Sequence, residues 1–174
     1  MFMDPLQTLS ACNIQASSTV ADFGAGSGFV ARAVAKLVPQ GQVFAIEINH
    51  DIVTRLTRDA ADHHHANLHA LWGDIEATEG SKLAHESVDM VICFNILFLL
   101  DDKAAALKEA FRVLKTGGRI VVADWTESFG GLGPQPHHIF NKTMAESLLT
   151  STGFKKLSGM LPIGAHHYAI LFAK

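Results

Sequence analysis

Residues that build cross-links and metal cages are scarce in this sequence: of 174 positions only Cys12 and Cys93 are cysteine. Two thiols cannot form a disulfide framework or a cysteine-based zinc site. Cys93 falls inside the apolar run 88–100, where a cysteine serves as a core residue. That run is the most hydrophobic stretch, yet it is too short to span a bilayer and is broken by Asp89 and Asn95. Charge is sparse as well, at 18% of residues with a formal net charge of -3, and Lys and Arg nowhere form a run. Neither a nucleic-acid surface nor an anionic-membrane surface is indicated. The first residues, Met1-Phe2-Met3-Asp4-Pro5, offer neither the basic start nor the apolar core of a signal peptide, so a cytoplasmic protein without membrane attachment is expected. What is abundant is apolar residue, 48% of the chain, in a length that fits one domain spanning 1–174.

Apolar runs alternate with amphipathic stretches, the pattern of an α/β protein with a mainly parallel sheet. The pattern predicts helices over 4–12, 29–38, 51–62, 103–114 and 142–152, and strands over 19–23, 42–47, 68–72, 87–94, 119–124, 155–161 and 167–173. Gly117-Gly118 is read as the end of the fourth helix. The last two strands are joined only by 162–166, too short for a parallel crossover, so they must form an antiparallel hairpin.

The chemistry gathers at strand ends. Asp22-Phe23-Gly24-Ala25-Gly26-Ser27-Gly28 runs from the first strand into a helix, and its glycines let the backbone turn sharply and let a ligand lie on bare main chain. Such a turn is the general nucleotide crevice of open α/β sheets, but Phe29 stands where a dinucleotide fingerprint wants its third glycine. Glu47 ends the second strand, where a carboxylate accepts from both hydroxyls of a ribose. Asp74 follows the third strand, placed to accept from the exocyclic amine of adenine, with Ile48 and Ile75 as apolar walls for the ring. Singly, these are also ordinary turn glycines and helix-capping acids; it is the ordered set that points to a nucleoside.

With the glycine turn, Glu47, Gly73-Asp74, Ser87-Val88-Asp89-Met90-Val91 and the stretch from Leu107-Lys108-Glu109 to Gly117-Gly118-Arg119, the chain resembles a class I S-adenosylmethionine-dependent methyltransferase. It is most similar to the compact domains related to ubiquinone and menaquinone biosynthesis enzymes. The resemblance implies a Rossmann-like three-layer α/β sandwich, its seven-stranded sheet ordered 3-2-1-4-5-7-6 with strand 7 antiparallel. It implies S-adenosyl-L-methionine as cofactor. It also places Asp22, Gly24, Ala25, Gly26 and Gly28 against the methionine part, Glu47 on the ribose, Asp74 with Ile75 on adenine, and Asn95 with Ile96 at the border of methionine and substrate. Asp89 reads as structural.

The loops after the fifth strand and before the last one meet the same sheet edge, so Trp125, His137, His138, His167 and Tyr168 are expected to border one acceptor pocket, with His166 beside them. The candidate catalytic residues are His167, Tyr168 and His138; the bland alternative for each is an exposed loop residue or a pocket wall. No metal site is expected, because the histidines lack acidic or cysteine partners at ligand spacing. A short-chain dehydrogenase is excluded, since the only tyrosine, Tyr168, is followed four residues on by Phe172 rather than lysine. The expected function is in-line methyl transfer to a small-molecule acceptor. The alternatives are a protein lysine acceptor reached through an open crevice, or a cofactor-binding module without catalysis; a nucleic-acid acceptor ranks last. The chain is expected to act as a monomer or homodimer.

Overall fold

A computed structural model describes residues 5–129, 131, 133–157 and 161–174. Asp4, the expected first residue of the leading helix, and residues 158–160 of the expected sixth strand lie outside the described residues. The leading helix is α1 (Pro5–Ala11). Then come β1 (Thr19–Phe23), α2 (Phe29–Leu37), β2 (Gln42–Glu47), α3 (His50–Asp62), β3 (Leu68–Trp72) and β4 (Val88–Phe94). A 3-10 turn, Leu97–Leu99, precedes α4 (Lys103–Val113) and β5 (Leu114–Trp125). The second 3-10 turn, Pro136–His138, leads to α5 (Lys142–Thr152), β6 (Lys155–Lys156) and β7 (His167–Ala173). The strands form one sheet in the order β3-β2-β1-β4-β5-β7-β6. β7 runs antiparallel to both β5 and β6, as the short connection requires.

Side chains alternate across each strand, so the sheet carries a core on each face. On one face Val20, Ala45, Ile92, Ala123 and Ala169 pack with Leu9 of α1, Val34 of α2 and Leu56 of α3. On the other, Phe23, Cys93, Val122 and Ile170 pack with Leu107 and Ala110 of α4 and Leu149 of α5. Strands β1, β4 and β5 are apolar on both sides because both sides are covered. Helix starts follow local chemistry: the side chain of Asn49 accepts from the backbone N–H of Asp51 and Ile52, and that of Asn141 accepts from Met144 N–H.

One boundary departs from the sequence pattern. Helix α4 stops at Val113, and the chain enters β5 five residues earlier than the expected 119. Val113 and Arg112 turn their carbonyls to the N–H groups of Ser87 and Glu86, and Leu114 pairs with Val88. Pairing with β4 therefore overrides the helical propensity of the sequence. Gly117-Gly118 does not end the helix; it lies within the irregular stretch of β5 before regular pairing resumes at Met90–Arg119. Asp89, at the start of β4, accepts from Thr19 N–H at 2.7 Å and from the Lys115 ammonium at 2.8 Å, tying β1 and β5 to β4. No described helix is long and apolar enough to cross a membrane.

Candidate functional site

The carboxyl ends of β1, β2 and β3 lie side by side because the three strands pair in parallel, with Phe23 opposite Ile46 and Glu47 opposite Trp72. The turn after β1 is fastened to β2 by two hydrogen bonds, Gly24 N–H and Ala25 N–H both donating to Ile46 O. Gly24 sits at φ +75° with the Ile96 side chain so close that a Cβ would stand 2.5 Å from it. Gly26 differs: at φ +50° its missing Cβ would meet nothing nearer than Gly24 O at 3.9 Å, so the main chain is bare on that side.

Glu47 is 9% exposed and joins the turn to the next loop. Its Oε2 accepts from Gly26 N–H and its Oε1 from Asn49 N–H, each at 3.0 Å. A carboxylate has room for about four hydrogen bonds, so each oxygen retains capacity for a further donor. Asp74 accepts from Glu76 N–H through Oδ1. Glu47, Ile48, Asp74, Ile75, Ile96 and Gly24 line one cleft. Ile75 is buried at its base, while Ile48 is 58% exposed at its rim, an unusual exposure for isoleucine. The Ile48 carbonyl is held by the indole N–H of Trp72 at 2.8 Å.

Asp22, next to last in β1 beneath the glycine turn, is 2% exposed, and its Oδ2 has no hydrogen-bond partner among the described residues. Burial, with a smaller push from the Glu47 charge, raises its carboxyl to about 7. Asn95 follows β4 in a left-handed conformation (φ 54°), with its N–H donating to Ala123 O. Gly28 N–H donates to Ala25 O and Gly28 opens α2. This geometry fits an adenosyl group. An acid faces where a ribose would lie, two isoleucines flank the space for a flat base, and an unpartnered buried carboxylate oxygen and a bare glycine lie next to it.

The acceptor side is not one pocket, contrary to expectation. Trp125 and His167 oppose each other across β5 and β7, with ring centroids 4.2 Å apart. His166 turns aside to Glu127 at 2.8 Å and stacks on Phe129. His137 and His138 are exposed and line a separate open groove with Phe98, Leu99, Leu100 and Met144. Tyr168 points into the opposite core, 1% exposed, with its hydroxyl donating to Phe140 O at 2.8 Å. Burial pushes its phenol further above the ordinary value, which removes it as a surface acid or base. The alternation of β7 makes this separation inevitable, because neighbours 167 and 168 must face opposite sides. Among the described residues no group of three or more His, Cys, Asp and Glu is close enough to hold a metal ion.

Sequence reasoning gave no role to Asp124. This acid, next to last in β5 and fully buried, accepts from Trp125 N–H at 2.8 Å and Phe98 N–H at 3.1 Å. It therefore fastens the turn after β4 to the end of β5. Burial raises its carboxyl to about 6, with the backbone donors and Lys103 opposing the rise. The available signal was an acid near the end of an otherwise apolar strand.

Residues 14–154 match the family model of the methyltransferase domain. An arsenite methyltransferase of Halobacterium salinarum is 29% identical over 107 residues, covering 61% of this chain and 27% of that protein. A ubiquinone biosynthesis O-methyltransferase of Xanthomonas axonopodis pv. citri is 27% identical over 170 residues, covering 94% of this chain and 60% of that protein. The chain thus spans from about a quarter to three fifths of the length of these relatives. Among solved structures, a SAM-dependent methyltransferase from Aquifex aeolicus superposes with a TM-score of 0.89 at 21% identity, over 99% of this chain and 90% of that one. The cyclase SpnF shares the fold too, with a TM-score of 0.75 at 20% identity over 90% of this chain and 58% of that one. With the family model covering most of its length, the chain belongs to the methyltransferase domain family.

Proposed function

We propose that the chain transfers the methyl group of S-adenosylmethionine to a small-molecule acceptor. The observation that carries the reading is the convergence of Glu47, Asp74, Ile48 and Ile75 on one cleft beside the bare backbone of Gly26. When bound, the cofactor supplies a methyl carbon activated on a cationic sulfur, with a neutral thioether as leaving group. Alignment and exclusion of water are then the protein's main tasks. Glu47 accepts the ribose hydroxyls, Asp74 the adenine amine, and Ile48 and Ile75 enclose the ring. Asp22, Gly24, Ala25, Gly26 and Gly28 border the methionyl end, with Asn95 and Ile96 between it and the acceptor. A hydroxyl acceptor sheds a proton as its oxygen takes the methyl group, and His167 is the residue assigned to receive or orient that proton.

The chemistry of the crevice favours an oxygen-type acceptor over a soft metalloid. The relatives named for arsenite act on an element that prefers thiolates, and both cysteines of this chain are buried. Burial raises the Cys93 thiol well above its ordinary range. The relatives named for ubiquinone biosynthesis are O-methyltransferases. A second reading, a lysine side chain of a protein, draws on the open groove of Phe98, Leu99, His137 and His138, which could admit a macromolecule. The shared fold of a cyclase keeps a third reading in play, cofactor binding without methyl transfer.

Methyl-labelled S-adenosylmethionine incubated with the protein and fractionated cell extract separates the three. Label in small molecules is expected. Label confined to macromolecules would overturn the acceptor assignment, and cofactor binding without any transfer would overturn the enzymatic one.

A further inference from the structure

Trp72 closes β3, the edge strand of the sheet, and is 42% exposed, so core packing does not account for it. Its indole N–H donates to Ile48 O at 2.8 Å. That carbonyl falls between two hydrogen-bond ladders. Strand β2 ends at Glu47, and the helical bond from Val53 N–H at the start of α3 runs to Asn49 O. The peptides on either side are fixed by other means. Glu47 O accepts from Gly73 N–H, Asn49 N–H donates to Glu47 Oε1, and the Asn49 side chain caps α3. The indole therefore fixes the one peptide group that neither the sheet nor the helix holds.

The ring itself is held from two further segments. The His50 imidazole stacks on it, with centroids 4.7 Å apart and planes 6° from parallel. The Lys82 ammonium lies 5.9 Å from the ring centroid, within cation–π range. Trp72 thus joins the turn after β2, the first residue of α3 and the segment that follows Asp74. The same two loops wall the donor cleft, Glu47 and Ile48 from one and Asp74 and Ile75 from the other. Ile48 depends on such support. Its exposed side chain has little packing of its own, and a loose rim would have to be ordered at the expense of affinity when a ligand arrives.

We propose that Trp72 is a positioning residue for the methyl donor: its indole N–H holds the 47–50 turn so that Ile48 is already in place as a wall of the base site. In this role it acts through Ile48 and not by contact with the ligand. The inference rests on the donor-site reading of the cleft and extends it to a residue outside the lining. A ligand that needs the positioned rim loses affinity in proportion to the fraction of molecules that keep it. The net contribution of a neutral hydrogen bond corresponds to a change of roughly two- to twelvefold in such an equilibrium. Phenylalanine at this position keeps a flat ring for His50 and removes the donor.

The test is calorimetric titration of the full chain with S-adenosylhomocysteine, at a temperature where each variant is fully folded. Trp72→Phe should bind at least about threefold more weakly than the wild type. Because the effect passes through Ile48, the double variant Trp72→Phe/Ile48→Ala should bind no more weakly than Ile48→Ala alone. An analogue lacking both ribose hydroxyls should suffer the same penalty in Trp72→Phe as in the wild type, since Glu47 is left in place. A smaller loss, additive losses in the double variant, or disappearance of the ribose penalty would overturn the role. If Trp72→Phe fails to fold, the wild type decides. By linkage, S-adenosylhomocysteine should slow solvent exchange of the Trp72 indole N–H in ¹H–¹⁵N spectra, with Trp125→Phe identifying the other indole signal. Unchanged exchange would overturn the role. A wild type that binds no S-adenosylhomocysteine would refute the donor site together with this role, whereas wild-type binding matched by Trp72→Phe would refute the role alone.

Discussion

Replacing Glu47 by alanine tests the donor site in a way the structure makes quantitative. Each carboxylate oxygen already accepts one backbone N–H, from Gly26 and from Asn49, which leaves one further acceptor position on each for a ribose hydroxyl. Hydrogen bonds to a charged group contribute about 1.5–3 kcal/mol net of competition with water. Loss of the pair should weaken S-adenosylmethionine binding by about 3 kcal/mol or more, roughly 150-fold at the least. The same change strands the two N–H donors, and the ligand-free variant should lose about 1–2 kcal/mol of stability, a fall of roughly 3–6 °C in Tm. Calorimetry at a temperature where the variant is fully folded separates the two effects. A 2′,3′-dideoxy analogue of S-adenosylhomocysteine isolates the ribose contacts. Against the wild type it should bind far more weakly than S-adenosylhomocysteine, whereas against Glu47→Ala the two should differ little. A folded variant within threefold of wild-type affinity, or an undiminished penalty for the analogue, would refute the assignment.

Three further outcomes follow from neighbouring residues. Gly26→Val places a branched side chain in the open space of the turn at a φ of +50°; it should abolish donor binding in calorimetry, with a backbone strain of about 1–2 kcal/mol visible in denaturant unfolding. Asp22, raised to about 7, is protonated in the ligand-free protein below that pH, and a cationic donor favours its carboxylate. Affinity should therefore climb with pH up to about 7 and level off above it, with a proton released on binding, and Asp22→Asn should flatten the profile. The same raised value makes its contribution to folding fully present at acid pH and lost as pH rises through about 7, so urea unfolding of the ligand-free wild type, but not of Asp22→Asn, should show that decline. Tyr168→Phe removes the hydroxyl that donates to Phe140 O and should cost about 1–1.5 kcal/mol of stability while sparing turnover; the reverse pattern would return the phenol to the acceptor site.

The sequence carried most of the scaffold because local and tertiary preferences agree along it. Strands β1, β2, β3 and β7 and helix α5 begin and end where apolar pattern and capping residues place them. The start of β5 did not, since residues 114–118 are governed by pairing with Val88 rather than by their own propensity. The strand-end acids were legible because chemistry and position coincide: Glu47 and Asp74 meet in one cleft. The acceptor side was misread where sequence proximity was taken for spatial proximity. His167 and Tyr168 are neighbours in the chain and lie on opposite faces of the sheet, a separation that the period of a strand already contains. The roles of Gly24 and Gly26 could not be told apart from sequence, because only packing shows that the first accommodates Ile96 and the second faces open space.

A crystal structure of the protein with S-adenosylhomocysteine tests the central claim most directly. Both ribose hydroxyls should lie within about 3 Å of the Glu47 carboxylate, with the adenine between Ile48 and Ile75 and its amine at Asp74. An adenosyl group seated elsewhere, with Glu47 and Asp74 making no contact to it, would contradict the account.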